Sequence, residues 1–171
     1  MRLGLEIAQG VRNALSDNIV IGARVSITDY VDGGWDLEQT IEFAKQLKKI
    51  GLDFIDCSSG GVVAEVNYHP LNTNVVQWNA AKAVQEKAGI ATGIVGRIND
   101  PLLAEKFISE NWATMVFIGR AFLNNPHWPY LAADALADDK SFKYPNQYSW
   151  AIGWKAFAKW RKDIYKDQIE T

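Results

Sequence analysis

The sequence predicts an α/β fold in which four short parallel strands alternate with helices. Two observations support this prediction. Short apolar runs rich in β-branched residues are each followed by a segment with apolar residues at spacings of three and four, and this cycle occurs four times. Strands separated by helices of this length are typical of parallel βαβ units, whose crossovers are right-handed. One further helix precedes the first unit.

The predicted elements follow one another in a regular order. The strands are the short apolar runs, at residues 19–25, 54–57, 90–95 and 115–118. The helices are the segments of helical periodicity, at residues 2–15, 37–50, 75–88, 102–112 and 128–137. Gly51 ends one helix, and Asn99, Asp100 and Pro101 supply a cap and a proline at the start of another. Four units in 171 residues are too few for a closed eight-unit barrel, which takes roughly 250 residues.

The apolar pattern changes near residue 140, so we expect a division into residues 1–140 and residues 141–171. In the second segment, aromatic residues recur at helical spacing with lysines between them: Trp150, Trp154, Phe157 and Trp160. A basic amphipathic helix of this kind can bind a membrane surface or a partner groove. The interpretation we favour is a terminal helix whose aromatic stripe packs on the domain or on a neighbouring subunit.

The composition is that of an ordinary globular protein. With 18 basic and 20 acidic residues, a net charge of −2 gives no electrostatic reason to expect a nucleic-acid or membrane partner. A single cysteine excludes an intrachain disulfide and fits a reducing interior. No run approaches the ~20 apolar residues of a membrane span, and the first residues resemble an amphipathic helix rather than a signal peptide. The sequence therefore predicts a cytoplasmic protein.

Arg24 is the first candidate for a functional side chain. It lies inside an apolar strand that we expect to be buried, where an unpaired charge is costly. One interpretation is a structural salt bridge to another strand, with Asp56 as the candidate partner. The other is a cation directed at an electron-rich ligand, because ligands of βα proteins bind where the loops after parallel strands open. The residues alone leave both open.

Two glycine–arginine pairs predict a phosphate site. Gly96 and Arg97 follow the third strand, and Gly119 and Arg120 follow the fourth, before a short helical segment at residues 120–124. Glycine lets backbone N–H groups approach an anion, and arginine offers a planar fork of donors. Barrel enzymes often build phosphate sites from the last two strands and a short extra helix.

Other polar residues give weaker signals. The run from Asp56 to Gly61 ends the second strand in small residues and two glycines, which permits close approach of a ligand to the backbone. Cys57 lies on that strand and is interpreted as a core residue rather than a nucleophile. His69 and His127 lie in separate loops without metal-ligand spacing, so neither is expected to bind a metal.

Several motifs together resemble the old yellow enzyme family, the NADH:flavin oxidoreductases and FMN-dependent ene-reductases. The similar segments follow strands five to eight of that family in order, at residues 24–30, 55–60, 91–96 and 117–126. Residues 2–7 are similar to helix four, and residues 144–148 to a segment near the end of many members. The resemblance implies that residues 1–140 form the C-terminal half of an FMN-binding (β/α)8 TIM barrel.

The resemblance also implies residue roles. Arg24 would lie against the N1/O2 edge of the flavin ring. Gly119 and Arg120 would hold the FMN phosphate, beside the backbone of residues 95–97, which are Val95, Gly96 and Arg97. Ser58 and Ser59 would line the ribityl or phosphate side. NAD(P)H would be the reductant, and an activated C=C bond or a related small molecule the acceptor.

The family's substrate-orienting histidine pair lies on strand four and its tyrosine proton donor follows shortly, and neither motif is present in this sequence. No catalytic residue is therefore assigned. Two hypotheses remain: an FMN-dependent NAD(P)H oxidoreductase, and a non-enzymatic half-barrel that binds FMN or phosphate weakly or only self-associates. A small doubly wound α/β domain with a phosphate ligand is a third, which the order of the four motifs disfavours.

A half-barrel would leave its two outer strands as unpaired edges and its inner face exposed. The sequence therefore predicts a homo-oligomer or a complementary half-barrel chain that covers these surfaces.

Overall fold

A computed structural model describes residues 1–63, 66, 73–136 and 143–148. The chain divides into two compact units. The first comprises Met1–Ile98 and Lys106–Ile118, and the second comprises Asn99–Glu105 and the residues from Gly119 onward. The predicted helix after residue 148, with its aromatic stripe, lies outside the described residues, as does His69. The division at residue 140 therefore stays a prediction.

Helices and strands alternate as the sequence predicts. In chain order the elements are α1 (Arg2–Ala14), β1 (Gly22–Ser26), α2 (Leu37–Ile50), β2 (Phe54–Ser58), α3 (Thr73–Ala88), β3 (Ala91–Val95), α4 (Pro101–Ser109), β4 (Met115–Phe117), α5 (Arg120–Asn124) and α6 (Trp128–Ala135). The four strands form one parallel sheet in the order β1-β2-β3-β4. The prediction of an α/β fold with parallel strands is confirmed, and β1 and β4 are the edges of the described sheet.

Helix α2 shows why the predicted boundaries are accurate where capping residues are present. The Asp36 side chain accepts a hydrogen bond from the Gln39 amide at 2.8 Å, and the Gln39 side chain accepts one from the Asp36 amide at 3.1 Å. This capping box satisfies two backbone donors at the start of the helix. At the other end Gly51 adopts φ +101°, a left-handed conformation that stops the helix at low cost.

Two boundaries differ from the prediction. Strand β1 begins at Gly22 rather than residue 19, because the carbonyl of Ile19 accepts a hydrogen bond from the Arg12 side chain and Ile19 itself is exposed. Helix α4 ends at Ser109 rather than residue 112, because Asn111 turns the chain with φ +56°. In both cases a local polar or left-handed residue overrides the apolar pattern.

One face of the sheet is buried against helices. Successive side chains of a strand point to opposite faces, and on this face Ile55, Cys57 and Ile94 are fully buried. Helix α3 packs on β2 and β3, and α2 packs on α3. The helices contribute apolar residues that are almost fully buried, including Ile41, Ala44, Leu47, Ala81 and Val84. The core of the first unit therefore lies between the sheet and these two helices.

The opposite face of the sheet carries two phenylalanines in place of a helix layer. The rings of Phe54 and Phe117 stack with centroids 6.1 Å apart and an angle of 26° between their planes. A Cβ added to Gly22 would overlap the Phe54 ring, and one added to Gly93 would overlap the Phe117 ring. The two glycines therefore give the aromatic rings room to lie close to the sheet.

Gln85 of α3 connects that helix to the amino ends of two strands. Its Oε1 accepts hydrogen bonds from the Thr92 amide at 3.3 Å, the Thr92 hydroxyl at 3.2 Å and the Thr114 hydroxyl at 2.8 Å. Its Nε2 donates to the carbonyl and side-chain oxygens of Asn111 at 3.2 and 3.1 Å. One side chain thus fixes the position of α3 relative to β3 and to the residues that precede β4.

Candidate functional site

The loop after β1 is held in a defined conformation by its own side chains. The Asp29 carboxylate accepts a hydrogen bond from the Trp35 amide at 2.9 Å, and the Asp29 amide donates to the Trp35 carbonyl at the same distance. The Trp35 indole donates to Thr40 Oγ1 at 2.6 Å, and Thr40, which is buried, donates to the Ile27 carbonyl at 3.1 Å. These contacts fix the loop at the carboxyl end of the sheet, where ligands of parallel sheets bind.

Arg24 and Asp56 are neighbours in the register of β1 and β2 and lie on the same face of the sheet. Arg24 Nη1 donates to Asp56 Oδ2 at 3.1 Å, and Nη2 donates to Ser58 Oγ at 3.0 Å. The salt bridge to Asp56, one of the two interpretations that the sequence left open, is present in the structure. The prediction that Arg24 is buried is wrong: its side chain is 61% exposed. Among the described helices of the first unit, only α3 makes extensive contact with the sheet, and it packs on the opposite face.

Asp56 is the buried member of this pair. Its side chain is 10% exposed, and its Oδ1 is fully buried without a hydrogen-bond partner among the described residues. Burial raises the pKa of the Asp56 carboxyl, and the opposing effect of the Arg24 charge is smaller. The two members of the pair therefore differ in exposure: the Asp56 carboxylate is buried, and the Arg24 guanidinium that it binds is exposed.

Ser58 and Ser59 lie where β2 ends, and each contacts a residue from the β1 side. Ser58 accepts the bond from Arg24, while Ser59 Oγ lies 2.7 Å from the Tyr30 hydroxyl. Tyr30 has φ +61°, which is uncommon for a residue with a side chain. The structure therefore places Arg24 and Asp56 in the middle of β1 and β2, and Ser58, Ser59 and Tyr30 at or just beyond the carboxyl ends of these strands.

Sequence reasoning did not assign roles to Tyr30, Trp35 or Thr40. Their contacts form only in the folded loop after β1, and no sequence pattern indicates them. For the strands a signal was present: polar residues alternate at Arg24 and Ser26 and at Asp56 and Ser58, which places these four side chains on one face of the sheet.

Residues 95–97 form a separate turn at the end of β3. Gly96 and Arg97 have φ values of +117° and +53°, both in the left-handed region. The Trp78 indole donates a hydrogen bond to the Gly96 carbonyl at 3.1 Å, which fixes the turn against α3. The Arg97 side chain is exposed and forms no salt bridge with any described carboxylate. The guanidinium of Arg97 is therefore available to an anion.

The second unit contains the other predicted phosphate-binding residues. Gly119 is the N-cap of α5, which begins at Arg120 and ends at Asn124, as the sequence predicts. Both Gly119 and Arg120 are exposed, and the Arg120 guanidinium makes no salt bridge within the described part of the chain. The Trp128 indole donates to the Asn99 carbonyl at 3.0 Å and its ring packs on Phe122, which fixes the turn after α5.

Cys57 is a core residue, as the sequence predicts. It has no exposed surface, and burial together with the nearby Asp56 charge raises the pKa of its thiol to about 12. Because the thiolate is the reactive form, we expect the native protein to react with iodoacetamide at pH 8 more slowly than the urea-unfolded protein by about 100-fold or more. Mass spectrometry of the alkylated protein over time measures both rates. Rapid alkylation of the native protein would contradict the placement of Cys57 in the core.

His127, in the second unit, is exposed and stacks on Tyr130 with ring centroids 5.5 Å apart. Within the described residues, no group of three or more histidine, cysteine, aspartate or glutamate side chains is arranged to hold a metal. None of the described helices is long and apolar enough to cross a membrane.

Comparison with known proteins identifies the family. The sequence model of the NADH:flavin oxidoreductase / NADH oxidase family matches residues 1–139. The chain belongs to this family. Within it, the chain is similar to a protein named NADPH dehydrogenase from Bacillus cytotoxicus, with 40% identity over 131 residues. The aligned part is 76% of this chain and 36% of that protein, so the chain spans little more than a third of the relative's length.

Family membership confirms the resemblance drawn from the four strand-end motifs and from the first helix. The parallel four-stranded sheet with alternating helices is consistent with part of a TIM barrel. Family membership also implies a flavin cofactor.

Proposed function

We propose that this chain carries FMN-binding residues of an NAD(P)H-dependent flavin oxidoreductase. The observation that carries the proposal is the family match over residues 1–139, combined with an exposed guanidinium held in place on a parallel sheet. The name of the Bacillus cytotoxicus relative favours NADPH as the reductant. FMN would be the cofactor, and a small molecule with an activated C=C bond or a related group the acceptor.

Arg24 fits a flavin ligand. Two of its five N–H groups are engaged by Asp56 and Ser58, which leaves three donors on an exposed side chain. FMN, when bound, supplies the two-electron chemistry that accepts a hydride from NAD(P)H and transfers it to the acceptor. Arg24 would contribute positive charge beside the N1/O2 edge of the ring, where negative charge gathers on reduction.

The phosphate contacts are proposed from the family resemblance and from the exposure of the arginines. Gly119 and Arg120 would bind the phosphate, as would the backbone of Val95, Gly96 and Arg97. Ser58 and Ser59 would line the ribityl or phosphate side. Ser58 accepts a hydrogen bond from Arg24 and so keeps its own proton to donate.

We also propose that residues 1–140 form half of a (β/α)8 barrel that a second copy or a complementary half-barrel chain covers. The support is the two edge strands of the described sheet and a stripe of exposed apolar residues on α1, formed by Leu3, Ile7 and Val11. Light scattering at low protein concentration tests this proposal. A stable, monodisperse monomer would contradict it.

A second candidate function is a non-enzymatic chain that binds FMN without turnover. It is favoured by the four strand-end motifs, at residues 24–30, 55–60, 91–96 and 117–126, because none of them contains a histidine. Histidine or asparagine side chains orient the substrate carbonyl in the family that this chain resembles.

Absorption spectroscopy separates these functions. Purified protein, titrated with FMN and washed, is expected to retain the visible absorption of bound flavin, and anaerobic NADPH is expected to bleach it. Retained colour without bleaching would support the non-enzymatic candidate. Protein that stays colourless after FMN addition would overturn both FMN-binding functions and would favour a chain that only self-associates.

Replacing Arg120 with alanine tests the proposed phosphate contact. Hydrogen bonds from charged groups contribute about 1.5–3 kcal/mol, so we expect the Kd for FMN to rise by about 10- to 100-fold. Fluorescence titration of the flavin measures this. The Kd for riboflavin, which lacks the phosphate, is expected to change less than twofold.

Arg2→Ala is the matched control, because Arg2 is an exposed arginine of α1 whose partner is Glu6. It is expected to leave both affinities unchanged. Equal weakening of FMN and riboflavin by Arg120→Ala would show that Arg120 does not contact the phosphate.

A further inference from the structure

Asp56 occupies an unfavourable position for a carboxylate. Its side chain is 10% exposed, one oxygen has no hydrogen-bond partner among the described residues, and the other is bound by Arg24. Removing a charged group from water is costly unless its hydrogen bonds are replaced. An ion pair repays this cost only when its geometry is good and the remaining lone pairs are also bonded, and Oδ1 has no such bond among the described residues. Stability alone therefore does not explain this carboxylate.

The geometry of the pair points to a role in orientation. Asp56 Oδ2 binds Nη1 of Arg24 at 3.1 Å, and Ser58 Oγ binds Nη2 at 3.0 Å. Two contacts on different nitrogens restrict rotation of the planar guanidinium about its side chain. Both partners lie on β2, which pairs with β1 along its whole length. The backbone that carries Asp56 and Ser58 is therefore held by the hydrogen bonds of the sheet. An exposed arginine is otherwise free to adopt many rotamers.

The same contact reduces the positive charge that Arg24 presents to a ligand. A carboxylate 3.1 Å from the guanidinium offsets much of its field at longer distance, and the buried position of Asp56 limits screening by water. Asparagine retains an acceptor oxygen for Nη1 while removing the charge.

We propose that Asp56 is a positioning residue, which orients the Arg24 guanidinium toward a ring that gains negative charge on reduction and sets how strongly the arginine charge favours the reduced form of that ring. This inference rests on the proposed function, because the ring is taken to be that of FMN. Asp56 acts through Arg24 and does not itself contact the ligand.

The test uses two substitutions of Asp56 and two measurements that do not depend on turnover. Asp56→Asn keeps the acceptor and removes the charge, so reduced FMN is expected to bind about threefold to tenfold more tightly relative to oxidised FMN. For a two-electron couple a tenfold change is about 30 mV, so the potential of bound flavin rises by up to that amount. Affinity for oxidised FMN is expected to stay within twofold.

Asp56→Ala removes the acceptor as well as the charge. With the guanidinium held only by Ser58, affinity for oxidised FMN is expected to fall about threefold to tenfold. The contrast between the two variants separates orientation from charge. The change in potential is measured on the Asp56→Asn variant alone. The inference is therefore still tested if circular dichroism shows that Asp56→Ala does not fold.

Asp53→Asn is the matched control for the loss of one negative charge. Asp53 precedes β2 at the amino end of the sheet, where its Oδ2 accepts a hydrogen bond from the Ile21 amide at 2.7 Å. It is expected to leave the flavin potential unchanged.

The outcomes separate the inference from the function on which it rests. A wild-type chain that binds no FMN would overturn the proposed function and this inference together. A wild-type chain that binds FMN, with the same flavin potential in wild type, Asp56→Asn and Asp53→Asn, would overturn the inference alone. A rise in potential confined to Asp56→Asn would support it.

Discussion

Replacing Ile94 with alanine is expected to lower the free energy of unfolding by about 3 kcal/mol. Ile94 lies in β3, has no exposed surface and points to the face of the sheet on which α3 packs. The substitution removes buried methyl groups from water-free surroundings and leaves a cavity that the sheet and helix cannot fully close. Urea unfolding followed by circular dichroism measures the change.

Ile108→Ala provides the matched control. Ile108 lies on α4 and its residue is 41% exposed, so the same substitution creates no closed cavity. Its cost is expected to be about 1 kcal/mol or less, since alanine also has the higher helix propensity. Equal costs for the two variants would show that the buried face of the sheet does not lie where the structure has it.

Replacing Gly93 with alanine is expected to lower the free energy of unfolding by about 2–3 kcal/mol, although only one methyl group is added. The new Cβ overlaps the Phe117 ring, which is itself stacked on Phe54. Either the ring leaves the stack or β3 and β4 move apart, and both responses lose packing. Thermal and urea unfolding measure the loss.

Two further variants distinguish this overlap from a general intolerance of glycine substitution. Gly10→Ala, on the exposed side of α1 with open space around it, is expected to stabilise the protein by about 0.5–1 kcal/mol. In a Phe117→Ala background, Gly93→Ala is expected to cost at least about 1 kcal/mol less than in wild type, because the overlapping ring is gone. Additive costs would contradict the proposed contact.

The order and type of the described elements were predictable from sequence because local signals agree with the fold. The residues around α2 are an example: Asp36 and Gln39 cap the helix, apolar residues recur on one side, and Gly51 ends it. Where local and tertiary effects compete, prediction failed. The apolar Ile19 belongs to a connection rather than a strand, because Arg12 binds its carbonyl.

The candidate site was only partly predictable. The pairing of Arg24 with Asp56 follows from their strand types and polarity, and the structure confirms it. The exposure of Arg24 was missed, because a sequence pattern cannot show which face of a sheet lacks a covering layer. Asp56 Oδ1, which lacks a hydrogen-bond partner within the described part of the chain, likewise reflects the packed state. The roles of Val95, Gly96, Arg97, Gly119 and Arg120 remain proposals that ligand titration addresses.

The contacts of Gln85 have a consequence for the motions of the native protein. Its carbonyl oxygen receives three hydrogen bonds, one of them from the Thr92 backbone amide, and its amide group binds Asn111. Detachment of α3 therefore breaks contacts at the starts of β3 and β4 in the same event. In native-state hydrogen–deuterium exchange, the Thr92 amide and the central amides of α3 would exchange together with one opening free energy, as a single cooperative unit.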